Sequence, residues 1–280
     1  MTTDFQTGRE SLGARLRELR VEAGLNGKTF ATRLGWQASK VSKLENGKQT
    51  PDLQDLTAWA AAANRRDAVP ELKARLSGLE STYRSWRRQL VAGHRPRQEQ
   101  AIAETTATTI TRAVEAFCIP GLLQTPDYAH ATLAAAAEFR RSPRDVDDAV
   151  RTRMRRQEAL YDPEKRFRFL IHEAALHARI CPPQVHAAQL DRLMSVIGLD
   201  TIELGIVPLA AELRSAPNHG FWIYDRRLVI VETIGTEMWL VDADSIEVYE
   251  RAWDWLYESA VHGTQARRLI GRVRALLGAV

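Results

Sequence analysis

The sequence predicts a multi-domain protein: an all-α, five-helix N-terminal domain, then an α+β domain with a mainly antiparallel sheet. Three observations carry this. Through the first third of the chain, apolar residues recur at helical spacing. From about Glu104 that pattern gives way to strand-like runs set between helices. Charge divides in the same way: residues 1–70 hold 11 Lys/Arg against 8 Asp/Glu, residues 71–103 hold 7 against 3, and residues 104–280 hold 21 against 24. With 280 residues, 45% of them hydrophobic, the chain can fill two ordinary cores. The expected division is 1–70 for the helical head, 71–103 for a connecting helix and linker, and 104–280 for the α+β body.

Within the head, Leu12, Leu16 and Leu19 define a first helix that stops near Gly24. Lys28 to Leu34 forms a second, with Phe30, Ala31 and Leu34 inward, and Gly35 supplies a turn. Gln37 to Asn46 forms a third, anchored only by Val41 and Leu44 and ended by Asn-Gly. Pro51 to Ala63 forms a fourth, with Leu53, Leu56, Trp59 and Ala60 on one face. Leu72, Leu76, Leu79, Tyr83, Trp86 and Leu90 then fall at steps of 4, 3, 4, 3 and 4. That spacing predicts one regular helix whose stripe either packs on the rest of the chain or pairs with a second copy. "AGHRPRQEQ" reads as a polar linker.

In the body, "PGLLQTPDYAHATLAAAAEF" reads as a turn and a helix, with Thr125 capping and Pro126 at the first helical position. Val146 to Tyr161 is helical, and its arginines 151, 153, 155 and 156 read as a solvated face or an anion site. "RFRFLIH" and "IELGIVPL" are strand candidates, separated by a Pro-to-Gly helix. "GFWIYDRRLVIVETIGTEMWLVD" predicts a three-stranded meander with turns near Asp225 and Gly235. Two helices close the chain.

Several chemistries lack their signatures. "HEAALH", at His172 to His177, places its histidines at i and i+5, about 140° apart around a helix, so one metal cannot readily meet both. Cys118 and Cys181 lack CxxC spacing and read as buried thiols. There is no phosphate-cradling glycine loop and no nucleophile elbow. The expectation is a non-enzyme without metal or cofactor. No apolar run approaches the ~18 residues of a membrane span, and no secretory signal opens the chain, so a cytoplasmic location is expected. Trp222, Trp239 and Trp255 are candidates for core or for a partner or ligand surface.

The third helix carries the functional signal. Its buried face is thin, and Ser39 and Lys43, four apart, share an outward face. A small residue at Ala31 and a turn glycine at Gly35 fix it against the helix before it. This is the layout of a helix-turn-helix, whose second helix enters the major groove of duplex DNA. "GKTFATRLGWQASKVSKLENGKQTP" resembles the phage-repressor-like, xenobiotic-response-element family. Ala31, Gly35, Val41 and Leu44 stand where that family keeps its motif core. The resemblance implies base contacts from Ala38, Ser39 and Lys43, and phosphate contacts from Asn46 and Lys48, with Lys40 a third. Relatives open the first motif helix with a phosphate-binding glutamine. Here Gly27-Lys28 stands instead, so that contact falls to Lys28 or is absent.

"PGLLQTPDYA", "RTRMRRQEAL", "IHEAAL" and "VYERAWDWL" are similar to the C-terminal domain of actinobacterial, antitoxin-like regulators of the WhiJ type. That resemblance implies a dimeric repressor encoded beside a small partner protein; the expectation is therefore a homodimer on a roughly palindromic operator, controlled through the body by that small protein or by a ligand. The alternative is an antitoxin-like module that sequesters the small partner and represses its own operon.

Overall fold

The computed structural model describes residues 4–216 and 218–277. It divides into two compact units, Met1–Tyr83 and Arg84–Val280. The first is all-α, with helices α1 (Asp4–Glu22), α2 (Gly27–Leu34), α3 (Ala38–Glu45), α4 (Leu53–Ala62) and α5 (Val69–Thr82). Their apolar faces meet in one core around Leu12, Leu16, Leu19, Phe30, Leu56 and Trp59. Trp59 satisfies its buried indole N–H on the carbonyl of Leu16 at 2.9 Å and packs on Phe30 with ring centroids 4.8 Å apart.

The stripe from Leu72 to Leu90 is not one helix. α5 stops at Thr82, and a short strand β1 (Tyr83–Ser85) and a single turn α6 (Trp86–Gln89) follow. Leu72 and Leu76 belong to the core of the first unit, whereas Trp86 and Leu90 are buried in the second. The side chains of Leu79 and Tyr83 lie outside the described residues. A heptad period over so short a run is equally the period of a helix packing on its own domain, and Leu72 and Leu76 take that option.

The expected linker is also helical. α7 (Arg95–Thr106) begins where the Asp145 carboxylate accepts hydrogen bonds from the backbone N–H groups of His94 and Arg95, at 2.8 and 2.7 Å. Pro96 stands at its start, and Gln98, Ala101 and Thr105 are buried. The buried face is largely polar, which is why the segment reads as linker in sequence.

The rest of the second unit is β2 (Ile110–Glu115), α8 (Pro126–Arg140), α9 (Val146–Arg156), β3 (Arg166–His172), α10 (Glu173–His177), α11 (Pro183–Val196), β4 (Ile202–Val207), β5 (Phe221–Tyr224), β6 (Leu228–Glu232), β7 (Thr236–Leu240), α12 (Ala243–Glu258), β8 (Val261–His262) and α13 (Gly263–Leu276). The eight strands form one sheet in the order β1-β7-β6-β5-β2-β3-β4-β8. β2, β3 and β4 run parallel, while β5, β6 and β7 form the expected antiparallel meander. β2 joins the two halves, pairing parallel with β3 and antiparallel with β5. The meander turns at Asp225, whose φ of +51° is left-handed, and near Gly235. One side of the sheet carries Phe167, Phe169, Trp222 and Ile230, and the other carries Val114, Ile223, Val229 and Trp253 of α12. Both faces are covered, so strands β4 to β6 read as apolar runs rather than alternating ones.

Candidate nucleic-acid interface

Asn26 opens α2, its side-chain oxygen accepting from the Thr29 N–H at 2.9 Å. Gly35 ends it in the left-handed region at φ +68°, and its N–H meets carbonyls of the last turn. The chain then re-enters helix at Ala38. Val41 and Leu44, each 1% exposed, hold α3 on the core. Ala31 is buried in the same core, and α2 packs directly on α3.

Two further features fix α3, and neither stands out in the sequence. At Gly13 of α1, a Cβ would lie 2.6 Å from the carbonyl oxygen of Leu44, so the two backbones touch at a point only glycine permits. About two turns further along α1, Arg20 reaches Glu45 at the end of α3. Its Nη2 donates to Oε2 at 3.0 Å, and its Nη1 donates to the Leu25 carbonyl at 2.7 Å. Glu45 raises the Arg20 pKa above its ordinary value through that hydrogen bond, against the cost of burial. Gly13 looks like an ordinary small helical residue in sequence, and a 25-residue separation hides the ion pair.

Opposite this buried face, Gln37, Ala38, Ser39, Ser42 and Lys43 are all exposed. Lys28, Lys43 and Lys48 are exposed and form no ion pair among the described residues. Lys40 is different. Its ammonium lies 2.6 Å from Asp55 of α4 and 3.9 Å from the centre of the Trp36 ring. It therefore ties α3 to α4. Asn46 is exposed and donates its amide to the Ser42 carbonyl at 2.7 Å. A shallow concavity at the edge of α3 is lined by Arg17, Lys28, Ala38, Ser42 and Asn46. Arg17 is an addition to the sequence-derived set. The signal for it is its place beside Leu16, one step off the apolar stripe of α1.

The tryptophans of the body do not form one surface. Trp239 is packed in the core, its N–H on Glu237 at 2.9 Å and the Arg84 guanidinium 3.6 Å above its ring. Trp255 is half-buried, with Arg214 at 5.9 Å. Trp222 lines a cavity, with its N–H on Glu115 at 3.0 Å. Cys118 and Cys181 are free and half-buried, and burial pushes the Cys118 thiol up to about 12.

Residues 83–272 match the family model described as Domain of unknown function (DUF5753). The chain belongs to that family. Residues 11–72 match a second model, described as Helix-turn-helix domain. The DUF5753 match spans the whole sheet, and the helix-turn-helix match spans the leucines of α1, the α2–α3 pair and α4. No curated protein matches the chain. Among solved structures, TrmBL2, an archaeal chromatin protein, is similar at 12% identity over 75% of this chain and 69% of that one, with a TM-score of 0.30. A likeness at that level carries no argument. The helix-turn-helix match and the geometry of α2 and α3 make this DUF5753 protein a DNA-binding transcriptional regulator. No helix among the described residues is long and apolar enough to cross a membrane.

Proposed function

We propose that the protein is a sequence-specific repressor of the xenobiotic-response-element type, acting as a homodimer on a roughly palindromic operator. The observation that carries this is the division of α3 into a buried edge of Val41 and Leu44 and an open face of Ala38, Ser39, Ser42 and Lys43. Ala38, Ser39 and Lys43 read base edges. Lys28, Asn46 and Lys48, with Arg17, meet phosphates, and Lys40 positions α3. Two heads would meet half-sites about one helical turn, ~34 Å, apart. The body is a WhiJ-type control domain without enzymatic activity, and it answers to a small protein or a ligand.

The test is binding of the full chain to its promoter fragment and to random duplex across a salt series. Neutralising 4–6 phosphates gives a log–log slope of about −4 to −5. A shallow slope, or no preference for the promoter, would overturn the reading. The antitoxin-like alternative draws on the slightly acidic balance of residues 104–280, with 21 Lys/Arg against 24 Asp/Glu, which suits a basic partner. Copurification with the neighbouring gene's product, without any change in promoter affinity, would favour it.

A further inference from the structure

The sheet face that carries Trp222 does not close completely against α7, α8 and α9. A cavity of about 250 Å³ remains, lined by Glu115 of β2, Trp222 and Tyr224 of β5, Glu232 of β6, Arg97 of α7, and three more arginines from two further helices. Arg140 comes from the end of α8, and Arg153 and Arg156 come from α9. None of these three makes an ion pair among the described residues. Arg153 donates to two neutral acceptors, Gln98 Oε1 at 3.0 Å and Gln124 Oε1 at 2.6 Å, and its Nη2 is unclaimed. Arg156, 8% exposed, donates to Thr105 Oγ1 at 2.7 Å and lies 5.1 Å from the centre of the Trp222 ring. Arg140 lies 4.6 Å from the Trp86 ring, with its Nε buried and unpartnered.

A guanidinium held away from water without a carboxylate is costly, as for the buried Arg156, and the half-buried Arg140 and Arg153 add to that cost around the same cavity. Burial lowers the pKa of all three, and that of Arg153 falls to about 10. The acids present do not balance them. Arg97 and Glu237 pair with each other. Burial pushes the Glu115 carboxyl up to about 8, so it is mostly protonated at neutral pH. Glu232 is left as the sole nearby countercharge to three cations among the described lining residues. The cavity thus combines surplus positive charge, rigid guanidinium donors and indole walls, a chemistry suited to a planar anion.

We infer that this cavity is a binding site for a small organic anion, a carboxylate or phosphate ester carrying a flat ring. The anionic group meets Arg153 and Arg140, and the ring lies against Trp222. Its size, just below the ~300–1,000 Å³ of drug-sized sites, limits the ligand to about a single ring with its acid group. The site gives a ligand class to the control role proposed for the body. It rests on that role only for any effect on DNA.

The experiment is calorimetric titration of the full chain with benzoate, phenyl phosphate, inorganic phosphate and benzyl alcohol. Benzoate or phenyl phosphate should bind one per chain with a dissociation constant of millimolar or better, and benzyl alcohol should not bind. Binding of benzoate alone assigns a carboxylate, and binding of phenyl phosphate alone assigns a phosphate ester. Arg153→Met should weaken the bound probe at least tenfold. Arg140→Met, at the end of its helix, is the milder variant and should weaken it at least threefold. Failure of both aromatic anions to bind, binding of benzyl alcohol as tight as theirs, or unchanged affinity in Arg140→Met would overturn the assignment. Promoter affinity measured with and without the bound probe is a separate readout. A probe that binds without changing it would leave the site standing and remove its control role.

Discussion

Arg20 and Glu45 form a buried ion pair between the first helix and the end of the third, with side chains 10% and 9% exposed. The same guanidinium holds the Leu25 carbonyl in the loop before α2. A single side chain therefore fixes the position of α3 and the entry into α2. Removing one member leaves the other buried and unpaired, which costs about 3–5 kcal/mol. Arg20→Met should lower the stability of the first unit by that order in urea denaturation. Under conditions where the variant is still folded, it should also weaken promoter binding. Intact promoter affinity in the folded variant would show that α3 is positioned without the pair.

The lysines of α3 and its exit separate by role. If Lys43 makes the proposed base contact, Lys43→Ala should cost about 1–3 kcal/mol on the promoter fragment and much less on random DNA. Lys48→Ala should weaken both alike and reduce the salt slope by about 1. Lys40→Ala should act chiefly on stability, since its ammonium is engaged by Asp55 and Trp36. Fluorescence anisotropy on both duplexes, with a melting curve for each variant, separates these outcomes. Equal losses for Lys43→Ala on the two DNAs would remove it from the readout.

Leu76 tests whether the stripe could serve as a dimer seam. It is 1% exposed in the core of the first unit. Leu76→Asp should therefore destabilise that unit by more than about 3 kcal/mol. Sedimentation equilibrium of the full-length variant should show the oligomeric state of the unaltered protein. Dissociation to monomers with a fully stable head would return the stripe to the role of a seam.

Glu115 gives the body a pH signature. Its carboxyl faces Glu232, Arg153 and the Trp222 N–H, and burial, helped by Glu232, raises it from 4.5 to about 8. The folded state then holds the proton more tightly than the unfolded one. That stabilisation is full below about pH 4.5 and is lost as pH rises towards 8. Glu115→Gln should match the unaltered protein near pH 5 and exceed it in stability at pH 8.5 by at least about 1 kcal/mol. Denaturant titrations at the two pH values decide it. A difference that does not grow with pH would mean that Glu115 is ionised throughout.

The head was legible because its signals are local. Leu12, Leu16 and Leu19 announce a helix, and Gly35 and Asn46 punctuate the motif within a few residues. The body was legible where strands are apolar runs, as in "IELGIV" and "LVIVE". β2 was not read, though it is the centre of the sheet. Its "ITRAVE" carries Arg112 and Glu115, which look exposed until Glu250 and Trp222 are brought to them from far along the chain. α9 shows the same limit at the cavity. Arg151 and Arg155, four apart, face solvent, whereas Arg153 and Arg156, three apart, face inward. The spacing that sorts them was present in the sequence. Nothing local says which pair the fold buries.

The double pairing of β2 also sets an order on synthesis. The contacts of the first unit are short in sequence and complete once Tyr83 has been made. β2 waits for β3, and then for Phe221–Tyr224, about 110 residues further along the chain, before both its edges are filled. Contacts so distant form slowly. On the ribosome the head therefore folds while the body is still an open half-sheet. A transcript broken before β5 would release a folded helix-turn-helix head joined to an unfinished body, and its unpaired β2 edge would mark it for aggregation or proteolysis.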